Sequence, residues 1–192
     1  MLFFPAPICA AAEASNVGMK TLVVFAIASA GIAGFSWHSL SDPRSHGYYR
    51  FFAFECLLIL ILLNRTFWFQ NPRSIPQIIS WTLLFGSLGL AAHGFYLLMV
   101  IGRPKGDFEN TTALVLLGAY KYIRHPLYAS LILFAWGSFF KNISLQGLML
   151  TTVASTLLFV TARAEERENL HKFGKEYESY MNKSKMFIPF FF

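Results

Sequence analysis

Apolar stretches of about twenty residues, separated by short polar breaks, run through most of this chain, and they restrict it to helices packed inside a bilayer. In hydrocarbon every backbone N–H and C=O must be satisfied within the structure, which a helix does by itself. With 55% hydrophobic and 14% charged residues in 192, and a mean hydropathy of +0.48, an ordinary water-soluble domain is excluded. The expected fold is an all-α integral membrane protein with about five transmembrane helices, at 19–37, 51–69, 75–101, 127–140 and 145–162. The fourth is short for a full crossing and 141–144 reads as a turn, so the last two helices are expected to form a helical hairpin. After it, Leu170, Phe173, Tyr177 and Tyr180 recur at helical spacing. They predict a C-terminal amphipathic helix, interrupted at Gly174, that docks on the membrane surface with Phe187 and Phe190-Phe191-Phe192. A single domain over 1–192 is expected, with membrane helices in 1–101 and a cofactor-binding loop, hairpin and C-terminal helix in 102–192.

Cys9 and Cys56 are too few and too far apart for a disulfide framework or a metal site, so no metal is expected. Residues 1–12 are apolar but lack a basic leading segment, which predicts that they stay in the mature protein. An external N-terminus with five crossings puts Arg44, Arg50, Arg103, Lys105, Lys121, Arg124 and the basic tail in the cytoplasm. It leaves Lys20, Arg65, Arg73 and Lys141 outside, in keeping with the positive-inside rule. The net charge of +6 then needs anionic lipid as its partner and no nucleic acid.

Chemistry concentrates in Gly118-Ala119-Tyr120-Lys121-Tyr122-Ile123-Arg124-His125-Pro126-Leu127-Tyr128 and, one apolar hairpin later, Glu165-Glu166. Proline is favoured at the first helical position, so a helix is predicted to open at Pro126. Its unpaired N–H groups and dipole, with Arg124, form a receptor for a carboxylate or phosphate. A hairpin returns the chain to the face it left, and packed helices lie roughly 8–10 Å apart. Both motifs should therefore flank one pocket, with Tyr120, Tyr122 and Tyr128 as aromatic walls. Alone, Arg124-His125-Pro126 reads as a basic anchor and Glu165-Glu166 as a solvated face; their meeting is what promotes them. S-adenosylmethionine has the separated charges such a pocket would hold.

The pattern Leu114-Val115, Gly118, Tyr120, Arg124-His125-Pro126, Tyr128, then Glu165-Glu166, then Phe173-Gly174, Tyr177 and Tyr180 resembles the isoprenylcysteine carboxyl methyltransferase family, which includes phospholipid N-methyltransferase relatives. The resemblance covers about the C-terminal half. It implies an S-adenosyl-L-methionine pocket lined by Thr112, Ala113, Leu114, Val115, Tyr120, His125, Pro126, Leu127, Tyr128 and Glu165. It also implies an arginine clamp for a substrate carboxylate one helical turn before Glu165, where this chain has Thr161, with Arg163 two residues on. Methyl transfer from a sulfonium is an in-line displacement, so positioning supplies much of the catalysis. A carboxylate acceptor could be oriented by Arg124 or Arg163, whereas an amine could give its proton to Glu166. The acceptor is expected to be lipid-like or prenylated and to enter sideways from the bilayer, with cofactor arriving from the cytoplasm. Protein isoprenylcysteine O-methylation leads; phospholipid N-methylation and a non-catalytic scaffold are the alternatives. The strip from Gly102 to Thr112 is expected to cover the cofactor. Glu55, Asn64 and His93 are polar groups within or near spans. Ala26, Ala30, Gly34, Gly86 and Gly89 are expected at close helix contacts.

Overall fold

A computed structural model describes residues 7–43, 45–104 and 111–189, with side chains from residue 18 onward. The described residues form six α-helices and no strand. They are α1 (Pro7–Leu40), α2 (His46–Asn64), α3 (Ile75–Val100), α4 (Pro126–Phe139), α5 (Leu145–Phe173) and α6 (Lys175–Lys183), with short 3-10 turns at Arg65–Phe67 and Gly118–Lys121. The starts follow local chemistry. Ser45 Oγ accepts the N–H of Gly47 at α2, and Ser144 Oγ accepts that of Gly147 at α5. Pro76 and Pro126 occupy the first turns of α3 and α4, where a missing N–H costs nothing.

Gly18–Leu40 of α1, with α3 and α5, is long and apolar enough to cross a bilayer. The 14 residues of α4 reach about 21 Å at 1.5 Å each, short of a hydrocarbon core of roughly 30 Å. Outward-facing Leu22, Ile27 and Trp37 of α1, and Ile75, Phe85 and Leu88 of α3, are the faces that lipid would cover.

The helix boundaries differ from the sequence expectation where polarity was taken to end a helix. The second helix begins at His46 rather than 51, because Ser45 caps it. The fifth runs to Phe173 rather than 162. Hydrophobicity stops near Ala162, but the following Ala, Arg, Glu and Lys residues are good helix formers. Glu165 and Glu166 thus lie within α5. The chain turns only at Gly174, whose φ of 56° suits glycine and separates α5 from α6.

Within the bundle α2 packs along α5 and α3 along α4, while α4 also meets α5 and α2, and α1 lies against α2. Because lipid tails are as apolar as leucine, such packing relies on close approach and interhelical hydrogen bonds. Ala53, Ala135, Ala154 and Ala162 are fully buried beside Leu57, Leu60 and Leu158. Ser80 and Ser87 of α3 donate at 2.7 Å to the carbonyls of Gly137 and Ser130 on α4. A Cβ on Gly137 would lie 2.9 Å from Leu84. The close contacts are therefore not those expected: side chains added at Gly34, Gly86 or Gly89 would meet nothing within 4 Å, and Ala26 and Ala30 are exposed. Small residues mark a helix contact only when they point inward.

Candidate active site

The segment leading into α4 is fixed at both ends. Thr112 and Ala113 donate their N–H groups to the Gly102 carbonyl at 2.8 and 3.2 Å, tying the segment to the end of α3. Gly118 has φ 56°, and a Cβ there would lie 2.6 Å from His93 Nε2 and from Leu97 Cδ1. Glycine lets the chain lie flat on α3, which carries Val115 and Tyr120 into contact with Leu97. His93 is thus part of the packing beneath this turn. Lys105, Gly106, Phe108, Glu109 and Asn110 of the expected cofactor cover, with Arg44 and Phe190-Phe191-Phe192, lie outside the described residues.

The tail after α6 returns to the same place. Lys185 donates to the Tyr122 carbonyl at 3.0 Å, Arg124 N–H to Lys185 at 2.8 Å and His125 N–H to Met186 at 3.2 Å. The Tyr180 hydroxyl donates to the Tyr120 carbonyl at 2.6 Å. Arg124 Nε donates to Glu166 Oε1 at 2.7 Å, and its Nη1 donates to the carbonyls of Met181 and Ser184. The Arg124 side chain, expected as part of an anion receptor, and the N–H groups of Arg124 and His125 are therefore engaged in joining loop, α5 and tail.

Behind this staple is a cavity of about 310 Å³. Every residue expected around the cofactor lines it except Thr112: Ala113, Leu114, Val115, Tyr120, His125, Pro126, Leu127, Tyr128 and Glu165. Thr112 instead donates its hydroxyl to the Arg103 carbonyl at 2.9 Å. Arg124 also lines the cavity, but Arg163 and Glu166 do not. The Arg163 side chain is 60% exposed and lies 3.5 Å from Glu166, which is itself buried. Thr161 is buried, its hydroxyl donated to the Leu157 carbonyl at 2.8 Å. Tyr122 is half exposed and is not a wall of the cavity, in contrast to the sequence expectation.

His125 stands between the two carboxylates. Its Nδ1 is 3.8 Å from Glu165, and its Nε2 is 3.5 Å from Glu166 without an aligned hydrogen bond. Its ring stacks on Tyr128 with centroids 5.6 Å apart. The Tyr128 hydroxyl makes side-chain hydrogen bonds with Glu165 and with Arg50 of α2. Burial first, and then the Glu165 carboxylate, hold the Tyr120 and Tyr177 phenols well above their usual range, and burial does the same for Tyr180. All three line the cavity as neutral hydroxyl-bearing rings.

Sequence reasoning missed the walls from other elements: Arg50 and Phe54 of α2, Ala91, Phe95 and Leu98 of α3, and Asn169 of α5. A signal existed for Arg50. It stands with Glu55 among the few charges of a largely apolar helix, and charges in such helices deserve a functional reading by default. Phe173, Tyr177 and Tyr180, expected to dock on the membrane, also face the cavity.

Two relatives bear on the chemistry. The chain is 25% identical over 199 residues to Methanethiol S-methyltransferase 1 of Bradyrhizobium diazoefficiens, covering 93% of this chain and 68% of that protein. It is 31% identical over 71 residues to Methanethiol S-methyltransferase of Crocosphaera subtropica, covering 37% of this chain and 27% of the relative. A family model for phospholipid methyltransferases matches residues 76–176, more than half of the chain, including the Arg124-His125-Pro126 turn and Glu165-Glu166. The chain belongs to the phospholipid methyltransferase family.

Proposed function

We propose that this protein is an S-adenosylmethionine-dependent methyltransferase that modifies a lipid-soluble acceptor at the cytoplasmic membrane face. The observation that carries this reading is the convergence of 113–115, Tyr120, 125–128 and Glu165, from three separate segments, on one cavity. That cavity joins aromatic walls to an arginine and a carboxylate, a donor set suited to a ligand carrying both a carboxylate and an ammonium. When bound, the cofactor supplies an electrophilic methyl group on sulfur. Glu165 would hold its ammonium, Tyr120 and Tyr128 its flat surfaces, and Ala113 to Val115 its edge. The protein's task is alignment and exclusion of water.

The acceptor wall is apolar. Phe54, Phe95, Leu98 and Leu131 line it, and Phe95 is also exposed on the side of α3. This favours an acceptor that partitions into hydrocarbon, with a prenylated or lipid-like molecule as the leading class. A small thiol is the second reading, favoured by the methanethiol acceptor in the names of both relatives. Thr161 leaves no cation at the position of the carboxylate clamp implied by the isoprenylcysteine enzymes, which weighs against strict isoprenylcysteine carboxyl methylation. A thiol or an ammonium must lose a proton before attack, and His125 is the lining side chain suited to take it.

In this reading α1 to α5 are five membrane helices, α4 and α5 form the hairpin, and the single domain keeps its N-terminus outside and its cavity cytoplasmic. The test is methyl transfer from labelled S-adenosylmethionine by the nanodisc-reconstituted protein to a farnesylated cysteine, phosphatidylethanolamine and methanethiol. Labelled product with any of them, lost in Glu165→Ala, supports the reading and names the acceptor. Absence of cofactor binding by folded protein overturns it.

A further inference from the structure

The arginine expected in the anion receptor at the start of α4 is already engaged by the protein itself. Arg124 is spent on Glu166 and two tail carbonyls, and the N–H groups of Arg124 and His125 are spent on Lys185 and Met186. A ligand carboxylate in the cavity therefore needs another cation. Arg50 lines the opposite wall, is 4% exposed, and rests with its guanidinium carbon 5.5 Å from the Phe35 ring centroid and 5.9 Å from that of Phe54. Two rings against a guanidinium leave its edge, with the N–H donors, as the reactive direction.

The Tyr128 hydroxyl defines where that edge points. It bonds both Arg50 and Glu165; arginine can only donate and an ionised carboxylate can only accept, so the order is Arg50 to Tyr128 to Glu165. The two interactions in series place the cation and the anion on either side of the Tyr128 hydroxyl. The register that brings them opposite is pinned by another pair. His46 donates its N–H to Glu168 at 3.1 Å, and its Nδ1 is 2.6 Å from the same carboxylate. One turn further along α2 is Arg50, and one turn back along α5 is Glu165.

From this we infer that Arg50 and Glu165, bridged by Tyr128, form a clamp for an α-amino acid head group, with Arg50 binding the carboxylate and Glu165 the ammonium. The inference rests on the reading that the cavity holds S-adenosylmethionine. It assigns to α2 a cofactor contact that the C-terminal motif does not contain.

S-adenosylhomocysteine carries the α-amino acid, whereas 5′-methylthioadenosine keeps the adenosine and sulfur without it. Calorimetric titration of both into detergent-purified wild type, Arg50→Gln and Arg50→Lys separates the terms. The clamp requires that Arg50→Gln lose at least about tenfold in S-adenosylhomocysteine affinity, approaching that of 5′-methylthioadenosine, while the latter changes by less than about twofold. Arg50→Lys keeps the charge without the fork and should fall between, which also serves where the glutamine variant unfolds. Unchanged S-adenosylhomocysteine affinity, or an equal loss for both ligands in folded variants, overturns the clamp. Wild type that binds neither ligand overturns the cofactor reading itself, and the clamp with it.

Discussion

The two ends of α4 carry the same kinds of residue to opposite purposes. Just beyond its C-terminus, Lys141 is 5% exposed, donates to Gln77 at 3.0 Å, and sits 3.6 Å from the Trp81 ring centroid. Gln77 donates to the Phe67 carbonyl at 2.8 Å, and Asn64 to that of Ser138 at 2.9 Å. This cluster is packed solid, and a cation inside it has protein partners on its open sides. At the N-terminus of α4, Arg50, His125, Glu165 and Tyr128 gather around empty space. Buried polar groups alone therefore do not distinguish a site from a strut; what distinguishes them is whether their partners leave room for a ligand.

The largest expected effect comes from the strut inside the functional end. Arg124→Ala leaves Glu166, whose side chain is 3% exposed, without its 2.7 Å partner and frees the tail carbonyls. Breaking one side of a buried ion pair costs about 3–5 kcal/mol, so thermal unfolding in detergent should move down strongly, and proteolysis after α6 should accelerate. An intact tail with lost cofactor binding would make Arg124 a ligand contact instead. Glu165→Ala comes next, because its carboxylate receives Tyr128 and lines the cavity without being part of the tail staple. Cofactor affinity should fall on the order of 100-fold, with unfolding little changed, as read by calorimetry and thermal shift on one sample.

The solid end gives the reverse pattern. Lys141→Met removes the cation over the Trp81 ring and leaves the Gln77 side-chain oxygen without its donor, a loss of about 1–3 kcal/mol of stability. Methyl transfer per folded molecule should stay within about twofold, since the change lies a whole helix away from the cavity. A tenfold loss of turnover with unchanged stability would mean that the two ends are coupled through α4, and that the comparison is wrong.

What the sequence made legible follows from the range of each signal. Helix existence and the meeting of 125–128 with Glu165 at one cavity could be foreseen, because proline at a helix start is a local feature and a short turn before α5 brings the chain back, whereas the place of 113–115 followed only from the family resemblance. Arg124's occupation could not, since its partners Met181 and Ser184 lie in a tail whose return to Tyr122 depends on the turn at Gly174. Nor could the α2 and α3 walls, because apolar helices carry almost no periodic mark of which face meets a neighbour when lipid is as hydrophobic as the core. Asn64 was singled out as a polar group in a span, and its bond to Ser138 makes it part of the solid end.

Arg163 offers the finest discrimination. It stands near the clamp position that the resemblance to isoprenylcysteine enzymes implies, but its side chain is 60% exposed, and its 3.5 Å approach to Glu166 adds to a carboxylate that Arg124 already holds at 2.7 Å. Exposed pairs of that kind contribute about 0–1 kcal/mol, so Arg163→Ala should leave unfolding almost unmoved. If the acceptor is an uncharged, lipid-soluble nucleophile, its KM should rise by less than about threefold and kcat should hold, because no acceptor charge needs a cation at the rim. A carboxylate acceptor predicts otherwise: KM would climb at least about tenfold, and Arg163 would take over the role that Thr161 cannot fill. The ratio of those two constants, measured on each acceptor, therefore tells whether this chain has moved its clamp by two residues or dispensed with one.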